Sequence, residues 1–189
     1  MDASHRRSLR LADFDYADER AYFVTICVRD RNPVLGEVQH ENVYLSTIGE
    51  ITRDCWLAIP AHSSFVELDS FVIMPDHMHG IIFINHQAVD VGARHALPLQ
   101  TQQAHAIFGK PQPGSLGVIV GSFKSAVTKR ANDRRGTPGV PLWQRNYYDH
   151  IIRAEDDLNA IRAYIDTNPA RWEEVADLAL DHPVWNRHS

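Results

Sequence analysis

The sequence predicts an α+β fold of the ferredoxin-like or RRM-like kind, a βαββαβ antiparallel sheet with helices on one face and a further helix added at the C-terminus. Three observations predict it. Ala21 to Val28 (AYFVTICV) is a β-branched and aromatic run. Val66 to Met74 and His77 to Ile84 are two apolar runs separated only by Pro75 and Asp76. Between and after these strands, apolar residues recur at helical spacing. A chain of 189 residues with 44% hydrophobic and 23% charged side chains supports one compact domain with its own core and excludes a collagen-like, rod-like or wholly disordered chain.

The elements follow in order. The turn-like stretch Arg29 to Pro33 closes the first strand. Ser46 is placed to cap a helix whose buried face is Ile48, Ile51, Cys55 and Ile59, and Pro60 limits it. Val66, Glu67, Leu68 and Asp69 alternate before the strand becomes continuously apolar, and the run from His77 reads as its antiparallel neighbour. Periodicity stops at residues 85–113, where Gln, His, Ala, Gly and Pro dominate, and this stretch reads as a mobile insertion. In Ser115 to Arg135, Leu116, Ile119, Phe123 and Val127 recur at helical spacing, with basic residues on the polar side. Pro138 to Pro141 break it, and Leu142 to Arg153 reads as a short strand or extended arm. Glu155, Asp156 and Asp157 suit the first turn of a last helix, Leu158, Ile161 and Ile165 form its stripe, and Pro169 stops it. Residues 1–20 read as an N-terminal arm, 21–172 as the domain, and 173–189 as an acidic tail with Trp172 and Trp185 as packing anchors.

Charge and cysteine content narrow the function. The formal net charge of -5 argues against a nucleic-acid partner, but the charge is uneven. Ser115 to Arg153 carries seven basic and two acidic residues, and the chain from Ala154 onward carries three basic and eight acidic ones. A positive surface confined to one segment is compatible with phosphate binding. Two cysteines, Cys27 and Cys55, are too few for a disulfide framework or a four-thiolate zinc site and suit a reduced, cytoplasmic setting. No apolar run approaches a membrane span, and Arg6, Arg7 and Arg10 precede acidic residues rather than the apolar core of a secretory signal.

His77 and His79 flank Met78 at the start of a strand. Residues i and i+2 of a strand face the same side about 6.6 Å apart, so two imidazoles can share one metal ion. A bare His-x-His is also met as two turn histidines. Tyr164 and Asn168 stand four residues apart, which on a helix aims a phenol and an amide at the same point. Taken singly, Tyr164 reads as packing beside Ile161 and Ile165, and Asn168 as a polar helix end before Pro169.

Together these residues carry a resemblance. VIMPDHMHGIIF, LGVIVGSFKSAVTKR, LWQRNYYDHIIR and AIRAYIDTNPARW, in that order, resemble the single-tyrosine transposases of the IS200 type, and most closely their REP-associated tyrosine transposase branch. The likeness runs from Arg6 to about Trp172 and includes RRSLRLADFDY and AYFVTICVRDRNPVLGE. It implies that His77 and His79 bind a divalent metal, Mg²⁺ or Mn²⁺, that Tyr164 is the nucleophile, and that Asn168 completes the metal site where other branches use glutamine. Two imidazoles suit Zn²⁺ as well. It further implies nicking and strand transfer of single-stranded or hairpin DNA through a 5′-phosphotyrosine, by a monomer or weak homodimer.

Such a DNA needs cations on its backbone and aromatic faces for its bases. Lys124, Lys129, Arg130, Arg134, Arg135, Arg145 and Arg153 are the candidate cations, and Trp143, Tyr147 and Tyr148 the candidate stacking groups. Arg6, Arg7 and Arg10 resemble the arm with which the REP-associated branch reads the foot of a hairpin, and His150 lies in the family-like YYDHIIR segment. Two other readings stand beside this one: a domesticated hairpin-binding protein with little or no turnover, and a metal-dependent phosphoesterase acting on a small substrate.

Overall fold

The computed structural model describes residues 20–85 and 112–175, with side chains through Trp172. The arm with Arg6, Arg7 and Arg10, nearly all of the 85–113 insertion, and the tail beyond Val175 with Trp185 lie outside the described residues. None of the described helices is long and apolar enough to cross a membrane.

The sheet is built around β1 (Arg20–Cys27), which pairs antiparallel with β5 (His77–Ile84) on one side and β6 (Tyr148–Ile152) on the other. β4 (Val66–Met74) pairs antiparallel with the outer edge of β5, so the order is β4-β5-β1-β6. This is the strand order of the predicted βαββαβ sheet. β1 reads as a continuous apolar run because both its faces are covered. Tyr22, Val24 and Ile26 join α1 (Thr47–Leu57) and α3 (Leu116–Arg135) in the larger core. Ala21 and Phe23 point the other way, onto Ile161 and Ile165 of α4 (Glu155–Asp166). The helices on one face are thus α1 and α3, and the added C-terminal helix covers the other.

Local chemistry sets the helix ends. Ser46 Oγ accepts from the Ile48 and Gly49 amides at 3.1 Å each and donates to the Val34 carbonyl at 2.6 Å, which caps α1 and ties it to the preceding loop. α1 ends at Leu57, and Pro60 lies near the start of a short α2 (Ile59–His62), where its missing N–H costs nothing. Gly136, at φ 65°, terminates α3 before the prolines are reached. Pro169 likewise does not stop the last helix. α4 closes at Asp166, and Pro169 is the second residue of α5 (Asn168–Val175). The predicted 142–153 arm is shorter as a strand: β6 begins at Tyr148, while Trp143 makes an isolated bridge to Val28.

The β2 (Gly36–Gln39) and β3 (Asn42–Leu45) hairpin is absent from the sequence reading. Its two-residue turn, His40–Glu41, has φ of 50° and 62°, a conformation normally signalled by Asn-Gly. His-Glu carries no such signal and holds both residues in a strained region. Replacing the pair (His40→Asn with Glu41→Gly) is expected to stabilise the fold by about 1 kcal/mol in urea denaturation, without altering the site.

Candidate active site

The site forms on the α4-covered face of the sheet. The β4–β5 turn is fixed from outside, since the Val28 amide donates to the Asp76 carbonyl at 2.8 Å and the Leu35 amide to the Pro75 carbonyl at 2.9 Å. From this turn β5 emerges with His77 and His79 on one face and Met78 in the larger core. Across the pairing, His77 stands opposite Cys27 and His79 opposite Thr25.

The two imidazoles converge. His77 Nε2 and His79 Nε2 are 3.1 Å apart, and the rings are 7% and 2% exposed. Their outward nitrogens are taken: His77 Nδ1 lies 2.5 Å from Asp76 Oδ1, and His79 Nδ1 lies 2.8 Å from Thr25 Oγ1. An ionised carboxylate only accepts, so Nδ1–H of His77 donates to it and leaves the Nε2 lone pair facing inward. A hydroxyl can donate or accept, so Thr25 accommodates either tautomer of His79. Burial pushes both imidazoles below the ordinary histidine pKa, His79 far below and His77 against the opposing pull of Asp76. Both are therefore neutral and free to ligate at neutral pH.

Tyr164 descends from α4 onto this pair. Its hydroxyl is 3.4 Å from His79 Nε2, its ring sits edge-on to Phe23, and Phe23 stacks on His79 with centroids 5.3 Å apart. The Asn168 side chain lies beside the same hydroxyl. Burial raises the phenol above its usual pKa, and the neighbouring Asn168 amide works the other way. Although α4 and α5 are separate helices, Thr167 between them keeps helical dihedrals (φ -89°, ψ -1°), so the four-residue spacing still brings Asn168 beside Tyr164. One turn further on, Trp172 lies over His77 with ring centroids 5.8 Å apart.

The donor set fits a small divalent ion. Two neutral nitrogens 3.1 Å apart, each held by its own partner, have the separation of neighbours in one coordination sphere. Among the described residues no group of three or more His, Cys, Asp or Glu could hold a metal, so a third donor drawn from them is of another type. The amide of Asn168, an oxygen ligand suited to Mg²⁺ or Mn²⁺, is the one beside the Tyr164 hydroxyl.

Several contributors escaped the sequence reading. Asp76 orients His77 and in turn meets Arg31, whose Nε is 3.0 Å from Asp76 Oδ2. Arg162 clamps α4 to β4 through two bonds to Asp69, Nε to Oδ1 at 3.0 Å and Nη2 to Oδ2 at 2.5 Å. Asp69 sits where the β4–β5 register shifts between Leu68 and Phe71. Arg162 and the Ser70 amide hold the Asp69 carboxyl down at about 2, against its burial. A depressed carboxylate contributes stability above its unfolded pKa of about 4 and loses it as pH falls through its folded value. Near-UV circular dichroism of the native protein is therefore expected to keep α4 docked down to about pH 4 and to loosen it toward about pH 2. Asp69→Asn should already be looser at neutral pH and lack this acid limb.

The candidate binding residues are distributed differently. α3 packs on the opposite face of the sheet from α4, so its cations are not gathered around the His pair. Lys124 Nζ donates to the carbonyls of Gln144 at 2.6 Å and Arg145 at 3.0 Å and pins that loop. Arg130 reaches Cys55 Sγ and Asp54, and Arg135 bonds Asn132. Lys129, Arg134, Arg145 and Arg153 are exposed. Lys129 and Arg145 line a groove of about 570 Å³ between α3 and the 138–145 loop. Trp143 is buried against Phe123, in the core instead of on a stacking surface. Tyr147 and Tyr148 are half-buried. His150 Nε2 pairs with Asp157 Oδ2 at 3.0 Å, on the far side of Phe23 from His79.

The four-stranded antiparallel sheet with its covering helices has a solved counterpart in fold. The chain shares the fold of a REP-associated tyrosine transposase solved bound to a REP hairpin (TM-score 0.50, 17% identity, covering 87% of this chain and 73% of that one). A candidate transposase from Deinococcus radiodurans R1 aligns with a TM-score of 0.46 and 16% identity over 83% of this chain and 95% of that one. By sequence, the chain belongs to the same family as an uncharacterized protein of Haemophilus influenzae (strain ATCC 51907 / DSM 11121 / KW20 / Rd), with 40% identity over 173 residues, 90% of this chain and 91% of the relative. No protein-family model matches it.

Proposed function

We propose that the protein is a tyrosine transposase of the REP-associated kind, which nicks and rejoins single-stranded or hairpin DNA through a 5′-phosphotyrosine. The observation that carries this reading is the Tyr164 hydroxyl 3.4 Å from His79 Nε2, beside Asn168 and the converging His pair. His77, His79 and Asn168 would hold a divalent ion, which would supply Lewis-acid charge toward the scissile phosphate.

The chain's own residues do the rest. Tyr164 Oη attacks phosphorus in line, the P–O3′ bond breaks, and the phenolic proton is balanced by that taken up at the departing 3′-oxygen. Asn168 and Phe23 hold the phenol in position for that attack. The phosphotyrosine conserves the diester, so a 3′-hydroxyl can attack it and release Tyr164 without ATP. A phenol, with a pKa of about 10, leaves more readily than an alkoxide. The fold shared with a transposase solved bound to a REP hairpin supports hairpin DNA as the substrate class.

The test is incubation with 3′-labelled stem-loop DNA and Mg²⁺ or Mn²⁺, read on a denaturing gel. A covalent adduct mapping to Tyr164 is expected. Hairpin binding with no adduct under either metal would replace this reading with that of a non-cleaving binding protein.

A further inference from the structure

Arg31 is built into the site more firmly than a surface arginine. It closes the 3₁₀ turn Arg29–Arg31, in which Asp30 and Arg31 are consecutive non-glycine residues at φ 56° and 54°. Backbone strain of this kind is retained where the surroundings impose it. Here the Arg31 amide donates to the Val28 carbonyl at 3.1 Å and the Arg29 amide to the Leu142 carbonyl at 2.8 Å. The turn folds the side chain back over the end of the sheet. Nε meets Asp76 Oδ2 at 3.0 Å, and Nη1 donates to Cys27 Sγ at 3.1 Å, Cys27 being the cross-strand neighbour of His77.

Two anchors on one guanidinium leave Nη2 without a partner among the described residues, on a side chain that is 45% exposed. Simple neutralisation of Asp76 would favour a two-pronged pairing, but Asp76 Oδ1 is given to His77. Arg31 lies on the Asp76 side of the His pair, and Tyr164 on the His79 side. Its positive charge also bears on both imidazoles and on the Tyr164 phenol, in each case disfavouring the added proton.

The geometry points to Arg31 as a phosphate-binding residue, its free guanidinium edge taking the DNA phosphate adjoining the one beneath Tyr164. This rests on the proposed nucleic-acid function and adds to it the anchor that sets the strand's register. A guanidinium suits the place because its planar fork can keep Asp76 and Cys27 while presenting further donors outward, which an ammonium cannot.

The test separates this inference from the function beneath it. Binding of stem-loop DNA with a single-stranded flank is measured on Tyr164→Phe protein, which cannot be consumed by reaction, carrying Arg31, Arg31→Gln or Arg31→Lys. Each is titrated over a salt series and against oligonucleotides with one neutral methylphosphonate at successive positions. Arg31→Gln should weaken binding about tenfold and lower the slope of log K against log salt by about one. One methylphosphonate position should weaken the Arg31 protein equally and Arg31→Gln no further. Arg31→Lys should fall between, and Mn²⁺ affinity of the DNA-free protein should be the same in all three. A loss of Mn²⁺ affinity in Arg31→Gln, with no methylphosphonate position coupled to Arg31, would overturn the assignment and reduce Arg31 to a support for Asp76. DNA binding that all variants share equally would remove Arg31 but leave the function standing, whereas no DNA binding by any of them would remove both.

Discussion

Tyr164→Phe is expected to abolish covalent capture of DNA, a fall of about four orders of magnitude or more in strand cleavage, while the protein remains folded and still binds a hairpin. The size follows from the proposed role: a nucleophile has no substitute when its oxygen is deleted. That the fold survives follows from the packing. The ring rests edge-on to Phe23 and His79, with centroids 6.0 and 5.2 Å away, and phenylalanine retains both contacts. What is lost is a hydroxyl 3.4 Å from His79 Nε2 and beside Asn168, worth about 1 kcal/mol. Paired gel and thermal-denaturation measurements check both halves. A variant that kept most of its turnover on a small phosphoester would instead indicate a metal-dependent phosphoesterase, in which the tyrosine only lines the site.

The parts of this centre that the sequence made legible are those fixed by local periodicity. His77 and His79 share a face because a strand repeats every two residues, and Tyr164 and Asn168 share one because a helical path repeats near four. Asp76, Arg31, Thr25 and the Asp69–Arg162 clamp were not legible in that way. Thr25 meets His79 across 54 positions and Arg162 meets Asp69 across 93, and such partners are assigned by strand register and helix docking, which no local period encodes. Asp76 is the exception, since a carboxylate directly before a His-x-His was a readable orienting group. The position of the α3 cations is set in the same non-local way. Sequence places Lys124 to Arg135 shortly before the tyrosine helix, but the crossover puts α3 on the opposite face of the sheet.

Gly80→Ala is expected to cost about 3 kcal/mol of stability, a fall in melting temperature on the order of 10 °C, although alanine is the smallest possible change and suits a strand better than glycine. Gly80 follows His79 and faces the larger core, where the Trp56 indole lies directly on its α-carbon. A methyl group there would collide with Trp56 Cζ2 and approach Cη2 to 2.9 Å. The ring has nowhere to retreat: it is fully buried, edge-on to Phe123 at 5.3 Å and tilted against Phe71 at 6.2 Å. The strain is therefore shared with the β5 backbone, which also carries His79 and its 2.8 Å bond to Thr25. Adduct formation should fall in the folded fraction too, even though no group on the face that carries the His pair has changed. Trp56→Leu distinguishes this account from a general intolerance of side chains at position 80, since it removes the obstacle at the price of a cavity. Combined with Gly80→Ala it should cost less than the two single changes added together, in urea denaturation, because the methyl group then occupies part of the space the indole vacates. Additive costs would mean that Gly80 is required for its backbone alone, and that the contact between the core and the histidine strand has no part in holding the site.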